Sequence, residues 1–308
     1  MVPEAFSNPG RFWRGNLHTH SNLSDGVLDL GVVCDRYQNA GYDFLCVSDH
    51  FIGLFGYPIS DTTPFRKPGF TTLLGAELHC GTMQNGDIWH ILAVGLPPDF
   101  TAPNAPDFHP KADQESGAEI AHRAREAGAF VVIAHPQWSG LTLEDALSIE
   151  SAHAVEAYNH ECGVSSERSD GFHTLDLMLS TRRRLNLIAA DDAHFGLKDH
   201  FGGWVMVKAK ENTPEALLQA LKAGDFYSSQ GPELHHIEVR DDTVLVRCSE
   251  AVSVIAQGHG SGTRALHGEN LTEAAVPLER FEAGKWLRIT VVDANGKKAW
   301  SNPIWLTD

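Results

Sequence analysis

Short apolar runs that stop at a histidine or a carboxylate constrain this chain more than any other feature. Asp43-Phe-Leu-Cys-Val-Ser-Asp-His50 and Phe130-Val-Val-Ile-Ala-His135 are two of them. Apolar runs of this length, bounded by Gly, Pro or Asp, have the texture of strands buried on both faces, as in a parallel sheet. Such sheets place their chemistry at the carboxyl ends of the strands. Nine polar side chains fall at or near such ends: His18, His20, Asp25, His50, Glu77, His90, His135, Asp192 and His194.

From residue 15 to about 230, strand-like and helix-like stretches alternate. Strands are expected at 16–20, 43–48, 72–77, 88–95, up to His135, and at 154–158, 186–190 and 204–207. Helices are expected at 29–40, 114–128, from Thr142, near 170–183 and at 213–223. A Gly/Pro/Thr-rich stretch at 51–70 and a Pro-rich one at 97–110 are loops long enough to be functional. About seven strand–helix units predict an α/β fold and suggest a barrel; periodicity also allows an open, doubly wound sheet, but the usual Gly-rich phosphate loop of such a sheet is missing. After Gly231-Pro232 the pattern becomes alternating, as in Trp286-Leu-Arg-Ile-Thr-Val-Val292, with turns at Asp241-Asp242 and Asn295-Gly296. This predicts two domains: 1–231, the strand–helix domain, and 232–308, a small antiparallel β-sandwich-like domain.

Composition narrows the function. The 308 residues carry a formal charge of −16, which argues against nucleic-acid duplexes, whose binding needs a basic face. Five cysteines, odd in number and without a Cys-x-x-Cys pair, fit reduced thiols. No basic, apolar leader opens the chain and no apolar stretch is long enough to span a bilayer, so a cytoplasmic location without membrane partners is expected. Oligomeric state leaves no mark in the sequence.

Each candidate ligand has an ordinary reading by itself. His18-Thr-His20 puts two imidazoles on one strand face, which could be two satisfied histidines. Asp25 lies in Ser-Asp-Gly, an ordinary turn. A buried His50 or Glu77, in contrast, needs a partner, and nine such residues together point to a metal centre. Nitrogen and oxygen donors without sulfur favour Zn, Mn or Fe over copper thiolate or iron–sulfur chemistry. Nine donors exceed one tetrahedral site, so two or three divalent ions sharing a bridging carboxylate are expected. His79 shares the strand face of Glu77, and Asp49 alternates away from His50 towards an orienting role. Gly-x-Ser-x-Gly, His-Glu-x-x-His and Walker motifs are missing.

Asn-Leu-His18-Thr-His20-Ser-Asn-Leu-Ser-Asp25-Gly, Val-Ser-Asp-His50, Gly-Ala-Glu77, His90-Ile-Leu-Ala-Val-Gly, Ala-His135-Pro and Asp192-Ala-His194 resemble, in order, the motifs of the polymerase and histidinol phosphatase (PHP) family. The resemblance covers residues 14 to about 230 and implies a distorted (β/α)7 barrel, a two- or three-metal centre and phosphoester hydrolysis. It implies that His18, His20, Glu77 and Asp192 hold one ion, that Glu77 bridges to a second held by His90 and His135, and that Asp25, His50 and His194 form a third site. Some members of the family carry His where this chain has Asp25, which makes that site more oxygen-rich. The C-terminal Val-Asp-Ala-Asn-Gly-Lys-Lys-Ala-Trp-Ser-Asn-Pro-Ile-Trp-Leu resembles an extension found in a branch that includes carbamate-ester (carbaryl) hydrolases.

The expected reaction is hydrolysis of a small phosphomonoester or phosphodiester by a hydroxide held between the ions. Asp192 or His194 would shuttle the proton, and His79, His160 and Arg168 would contact the phosphate or the leaving group. The alternatives are hydrolysis of a carboxyl ester, carbamate or amide at the same centre, or a non-catalytic, metal-stabilised binding module.

Overall fold

The computed structural model describes residues 1–306. In chain order its strands are β1 (Arg11–Asn16), β2 (Phe44–Val47), β3 (His50–Phe51), β4 (Thr71–Leu78), β5 (Ile91–Val94), β6 (Phe130–Ile133), β7 (Ala154–Asn159), β8 (Asn186–Ala190), β9 (Trp204–Ala209) and β10 (Phe226–Ser229). Then follow β11 (Leu234–Val239), β12 (Thr243–Gly258), β13 (Thr263–Pro277), β14 (Trp286–Val292), β15 (Lys298–Ser301) and β16 (Ile304–Trp305). Helices α1 (Glu4–Ser7), α2 (Leu30–Asn39), α3 (Gly117–Glu126), α4 (Leu143–Ser148), α5 (His160–Ser166), α6 (Phe172–Ser180) and α7 (Pro214–Ala223) lie between them.

The sheet is mixed rather than parallel. β1, β2 and β4 run parallel, as do β6, β7 and β8, but β5 is antiparallel to both β4 and β6, and β9 is antiparallel to β1. Hydrophobic texture cannot encode direction: Ile91-Leu-Ala-Val94 is buried on both faces whichever way it points. The strand path β11-β12-β14-β15-β10-β9-β1-β2-β4-β5-β6-β7-β8 does not return on itself, so the expected closed barrel is not seen as a ring of ladders. The segments that follow β1 and β8 nevertheless meet. Thr19 and Ala193 form an isolated parallel bridge, flanked by Asp192 N–H donating to His18 O at 2.8 Å and His20 N–H to Ala193 O at 2.9 Å.

Local sequence accounts for the helix ends. Ser116 and Glu119 form a capping box that opens α3, and the backbone turns out of the helix through Gly128 at φ +98°. Thr142 and Asp145 do the same for α4. Helix α7 begins with Thr213 as cap and Pro214 at its first position. The expected strand at 16–20 instead begins at Arg11 and leaves its ladder at Asn16, and α5 follows β7 where no helix was expected.

Period-two alternation divides the interior into two levels. Phe44, Leu73, Leu92, Phe130, Val132, Ala154, Ile188 and Val205 converge on one apolar core against α7. On the same strand faces, polar residues continue these rows at the opposite end: Glu77 from Leu73, His90 from Leu92 and Glu156 from Ala154. Gly75 lies between Leu73 and Glu77, where a β-carbon would come within 2.4 Å of Cys46 Sγ.

The C-terminal strands join the rest through β10–β15 pairing. Arg288, 4% exposed, grips Asp176 of α6 through Nε at 2.9 Å and Nη2 at 2.8 Å. Trp300 packs on Tyr158 and Phe172 with ring centroids 5.8 and 5.2 Å away.

Candidate metal centre

His18 and His20 follow β1, with Asp25 in the turn beyond; His50 is in β3, Glu77 near the end of β4, His135 just past β6, and Asp192 and His194 just past β8. His90 precedes its strand instead. Because β5 is antiparallel, its beginning lies at the same end of the sheet as the ends of β4 and β6.

The nine expected ligands form one connected cluster. Donor atoms of His18, Glu77 and His135 lie within 4.8 Å of one another, as do those of His18, His20 and Asp192, and those of His20, Asp25, His50 and His194. Glu77 is the hub: its Oε1 is 2.8 Å from His90 Nδ1 and 3.0 Å from His135 Nε2, and its Oε2 is 2.7 Å from His50 Nδ1. His20 Nε2 lies 2.9 Å from Asp192 Oδ1, and Asp25 reaches His50 and His194 at 3.3 Å each. His135 and Asp192 adopt positive φ, 22° and 57°, a conformation that costs non-glycine residues energy and concentrates at functional sites.

The electrostatics suit cations. Burial disfavours the carboxylates of Glu77 and Asp192, yet the surrounding imidazoles hold both well below the usual carboxylate range. Burial also opposes charge on His18, but Asp192, Glu156 and Glu77 raise it well above the ordinary imidazole value. His20 is lowered to about 4 by burial and by neighbouring His194 and His50.

Two buried atoms test whether this donor set fits a metal. His18 Nε2 and Glu77 Oε2 make no aligned hydrogen bond, although Asp192 Oδ1 lies 3.2 Å from the first and His50 Nδ1 2.7 Å from the second; they face each other at 3.6 Å, and His20 Nε2 is also 3.6 Å from Glu77 Oε2. A buried polar atom without a partner is costly, and nitrogen and carboxylate donors converging at such spacing suit a divalent ion.

Comparison with known proteins places this arrangement. No family model matches the sequence, and no curated protein does. Among solved structures, a two-domain protein from Bacteroides vulgatus containing a predicted PHP-like metal-dependent phosphoesterase superposes with a TM-score of 0.52 at 15% identity, over 96% of this chain and 97% of that one. The fold is PHP-like. A candidate metal-dependent phosphoesterase from Bifidobacterium adolescentis (14% identity, 58% of this chain and 87% of that one, TM-score 0.44) is a looser match. So is an amidohydrolase from Chromobacterium violaceum solved with bound sulfate and no metal (16%, 60% and 89%, TM-score 0.45). Superpositions that loose do not establish a common fold.

Within the PHP-like fold the expected substrate contacts separate. Arg168 lines a cavity of about 640 Å³ together with Asp25, His50, Glu77, His90, His135, Asp192 and His194. His79 corrects the expectation for it: it is fully buried behind His50 and offers no surface to a substrate. Its Nδ1–H donates to Trp89 O at 3.1 Å, since a carbonyl only accepts, which turns Nε2 towards His50 Nδ1 at 2.8 Å. Burial and the neighbouring His90 hold its pKa well below the ordinary imidazole value. His160 is also corrected: it bonds Tyr158 Oη through Nδ1 at 2.9 Å, packs against Gly202 and stands outside the cavity lining.

Asp49 does not orient an imidazole; it accepts from Ser21 N–H, Ser21 Oγ and Ser24 Oγ at 2.7 Å each and so pins the segment between His20 and Asp25. Asp191 accepts from Tyr37 Oη and from the backbone of 201–203. Cys162 adjoins Asp192, but burial pushes its thiol far up, which keeps it protonated and a poor ligand.

Sequence reading missed Glu156. Fully buried, it sets Oε1 3.0 Å from His18 Nδ1, while Oε2 accepts from His135 N–H at 2.7 Å and Asn159 Nδ2 at 3.0 Å. The available signal was a lone carboxylate inside the apolar strand Ala154-Val-Glu-Ala157.

Proposed function

We propose that this protein is a metal-dependent hydrolase acting on a small phosphoester. The facing pair His18 Nε2 and Glu77 Oε2, buried without an aligned hydrogen bond at the centre of an acid- and imidazole-rich cluster, carries this reading. In it, His18, His20, Glu77 and Asp192 hold one divalent ion, Glu77 with His90 and His135 a second, and Asp25, His50 and His194 a third. Such ions, when bound, bring the pKa of water towards neutrality and offset charge on the oxygens of the group under attack. The residues form the upper end of a distorted (β/α)7 arrangement within 1–231, with 232–308 as a separate β unit packed beside it.

The side chains divide the remaining work. Glu156 fixes the His18 ring through Nδ1, so that Nε2 faces the cavity. His194 stands at the mouth, a quarter exposed, with Nδ1 2.8 Å from the Asp192 carbonyl and Nε2 3.3 Å from Asp25. When the third site holds no ion, Nε2 can instead carry the proton for the departing oxygen, a charged form that burial opposes and that Asp25, then Asp192, favour. Arg168, the one Lys or Arg among the lining residues, binds the anionic group of the substrate.

Metal analysis of the purified protein together with a panel of phosphomonoesters, phosphodiesters and aryl carboxyl esters tests the reading. Bound divalent metal and turnover of phosphoesters, both lost in His18→Ala, are expected. Turnover confined to the carboxyl esters, or full metal and rate in His18→Ala, would overturn it.

A further inference from the structure

One wall of the cavity is aromatic and apolar. Trp138 and Phe108 flank His90, at centroid distances of 5.4 and 6.4 Å, and Trp138 also lies 4.9 Å from His135. Met83 and Ile88, 4% and 3% exposed, line the cavity beside them. Trp138 nevertheless remains 41% exposed. A large indole left open on the wall of a concave site is the usual mark of a ligand surface. At about 640 Å³ the cavity is of small-molecule size and holds much more than a phosphoryl group. Arg168 and Glu161 also line it, so polar and apolar contacts are both available to one ligand.

The apolar wall is also built to stay in place. Ala105, three residues before Phe108, is buried against Ile52 and Ile88, and its carbonyl accepts from Gly53 N–H at 2.8 Å. Phe108 itself packs edge-on to His50 and His79, at 5.0 and 5.2 Å. One of these two imidazoles, His50, also lines the reacting end of the cavity.

Resting on the phosphoester reading above, we propose that the substrate is an aryl phosphate: a flat aromatic leaving group seated against Trp138 and Phe108, with its phosphoryl group at the His/Asp/Glu cluster. Hydrolysis breaks the bond between phosphorus and the aryl oxygen. Water gives its hydroxyl to phosphorus and a proton to that oxygen, so that a phenol and inorganic phosphate leave.

Binding of phenylphosphonate and methylphosphonate, which share one anionic head and cannot be hydrolysed, tests this by calorimetry on the metal-loaded protein. Phenylphosphonate should bind roughly tenfold tighter, as expected for one well-placed aromatic contact plus burial of its ring. That ratio should fall towards one in Trp138→Ala and be restored in Trp138→Phe, which keeps a ring at the position. Equal affinity for the two phosphonates, binding of neither, or an unchanged ratio in Trp138→Ala would overturn the aryl proposal. Phosphoester turnover without a phenyl preference sinks this inference and spares the hydrolase reading. A phenyl preference in a protein that turns over no phosphoester overturns the phosphoester reading and the aryl phosphate with it, leaving only a site for aromatic anions.

Discussion

Glu156 and His18 form a fully buried carboxylate–imidazole pair, Oε1 to Nδ1 at 3.0 Å, and the second oxygen of Glu156 binds the backbone N–H of His135 at 2.7 Å. One side chain therefore sets the position of two expected ligands. Glu156→Gln should weaken metal affinity by about 10–100-fold, the usual effect of losing such a partner. Competition against a chromophoric chelator measures it, with circular dichroism to confirm the fold. Unchanged affinity would show that His18 is oriented without Glu156.

Metal removal should be visible as lost stability, because the cluster concentrates ionised carboxylates that the imidazoles alone satisfy incompletely. A ligand present at a hundred times its dissociation constant stabilises by about 2.7 kcal/mol. Chelation should therefore lower the thermal midpoint by several degrees, and adding back a divalent ion should restore it. Identical melts before and after chelation would argue against a bound ion.

The Arg288–Asp176 pair predicts an asymmetric response. Asp176→Ala strands a buried guanidinium and should cost about 2–4 kcal/mol, towards the lower side because Asp176 is a third exposed. Replacing both partners, as Arg288→Met with Asp176→Leu, should cost less than Asp176→Ala alone. Denaturant unfolding of the two variants checks the order.

His153 predicts a pH dependence far from the metal cluster. Burial, with Arg125 and Lys222 nearby, lowers its pKa to about 4, and its Nδ1 accepts from Val131 N–H at 3.0 Å. The unfolded chain takes up this proton near pH 6.5, before the folded one does. Stability is therefore lost as pH falls from about 6.5 to about 4 and is fully present above that window. His153→Asn keeps an acceptor in the place of Nδ1 and should flatten the fall in thermal midpoint across that range. An equally steep fall would assign the acid sensitivity to other groups.

The membership of His50, Glu77 and His135 in the cluster was legible because each is a polar residue in a stretch that otherwise reads as buried. Strand direction was not: the apolar run after His90 looks the same in a parallel or an antiparallel strand, so its reversal emerged only from register. His79 shared a strand face with Glu77 as alternation requires, but a face does not specify depth, and the ring lies behind His50. Glu156 was passed over because an isolated carboxylate inside a strand resembles a solvent-facing position until the opposite face is known to be occupied. In the C-terminal part, alternating antiparallel strands were expected with a turn at Asp241-Asp242. The structure keeps that turn but runs β12 on to Gly258 and pairs it with the largely exposed β13, whose polar composition gave little strand signal.

The bridge between Thr19 and Ala193 joins segments that the chain produces far apart in time. Asp192 meets His18 only when this seam forms, so a nascent polypeptide that has not yet emerged past β8 cannot assemble its cation-binding pocket, however well its earlier strands have paired. On the proposed function, metal loading is thereby tied to completion of the scaffold, and a truncation before Asn186 would lack Asp192 and His194, two of the nine clustered donors.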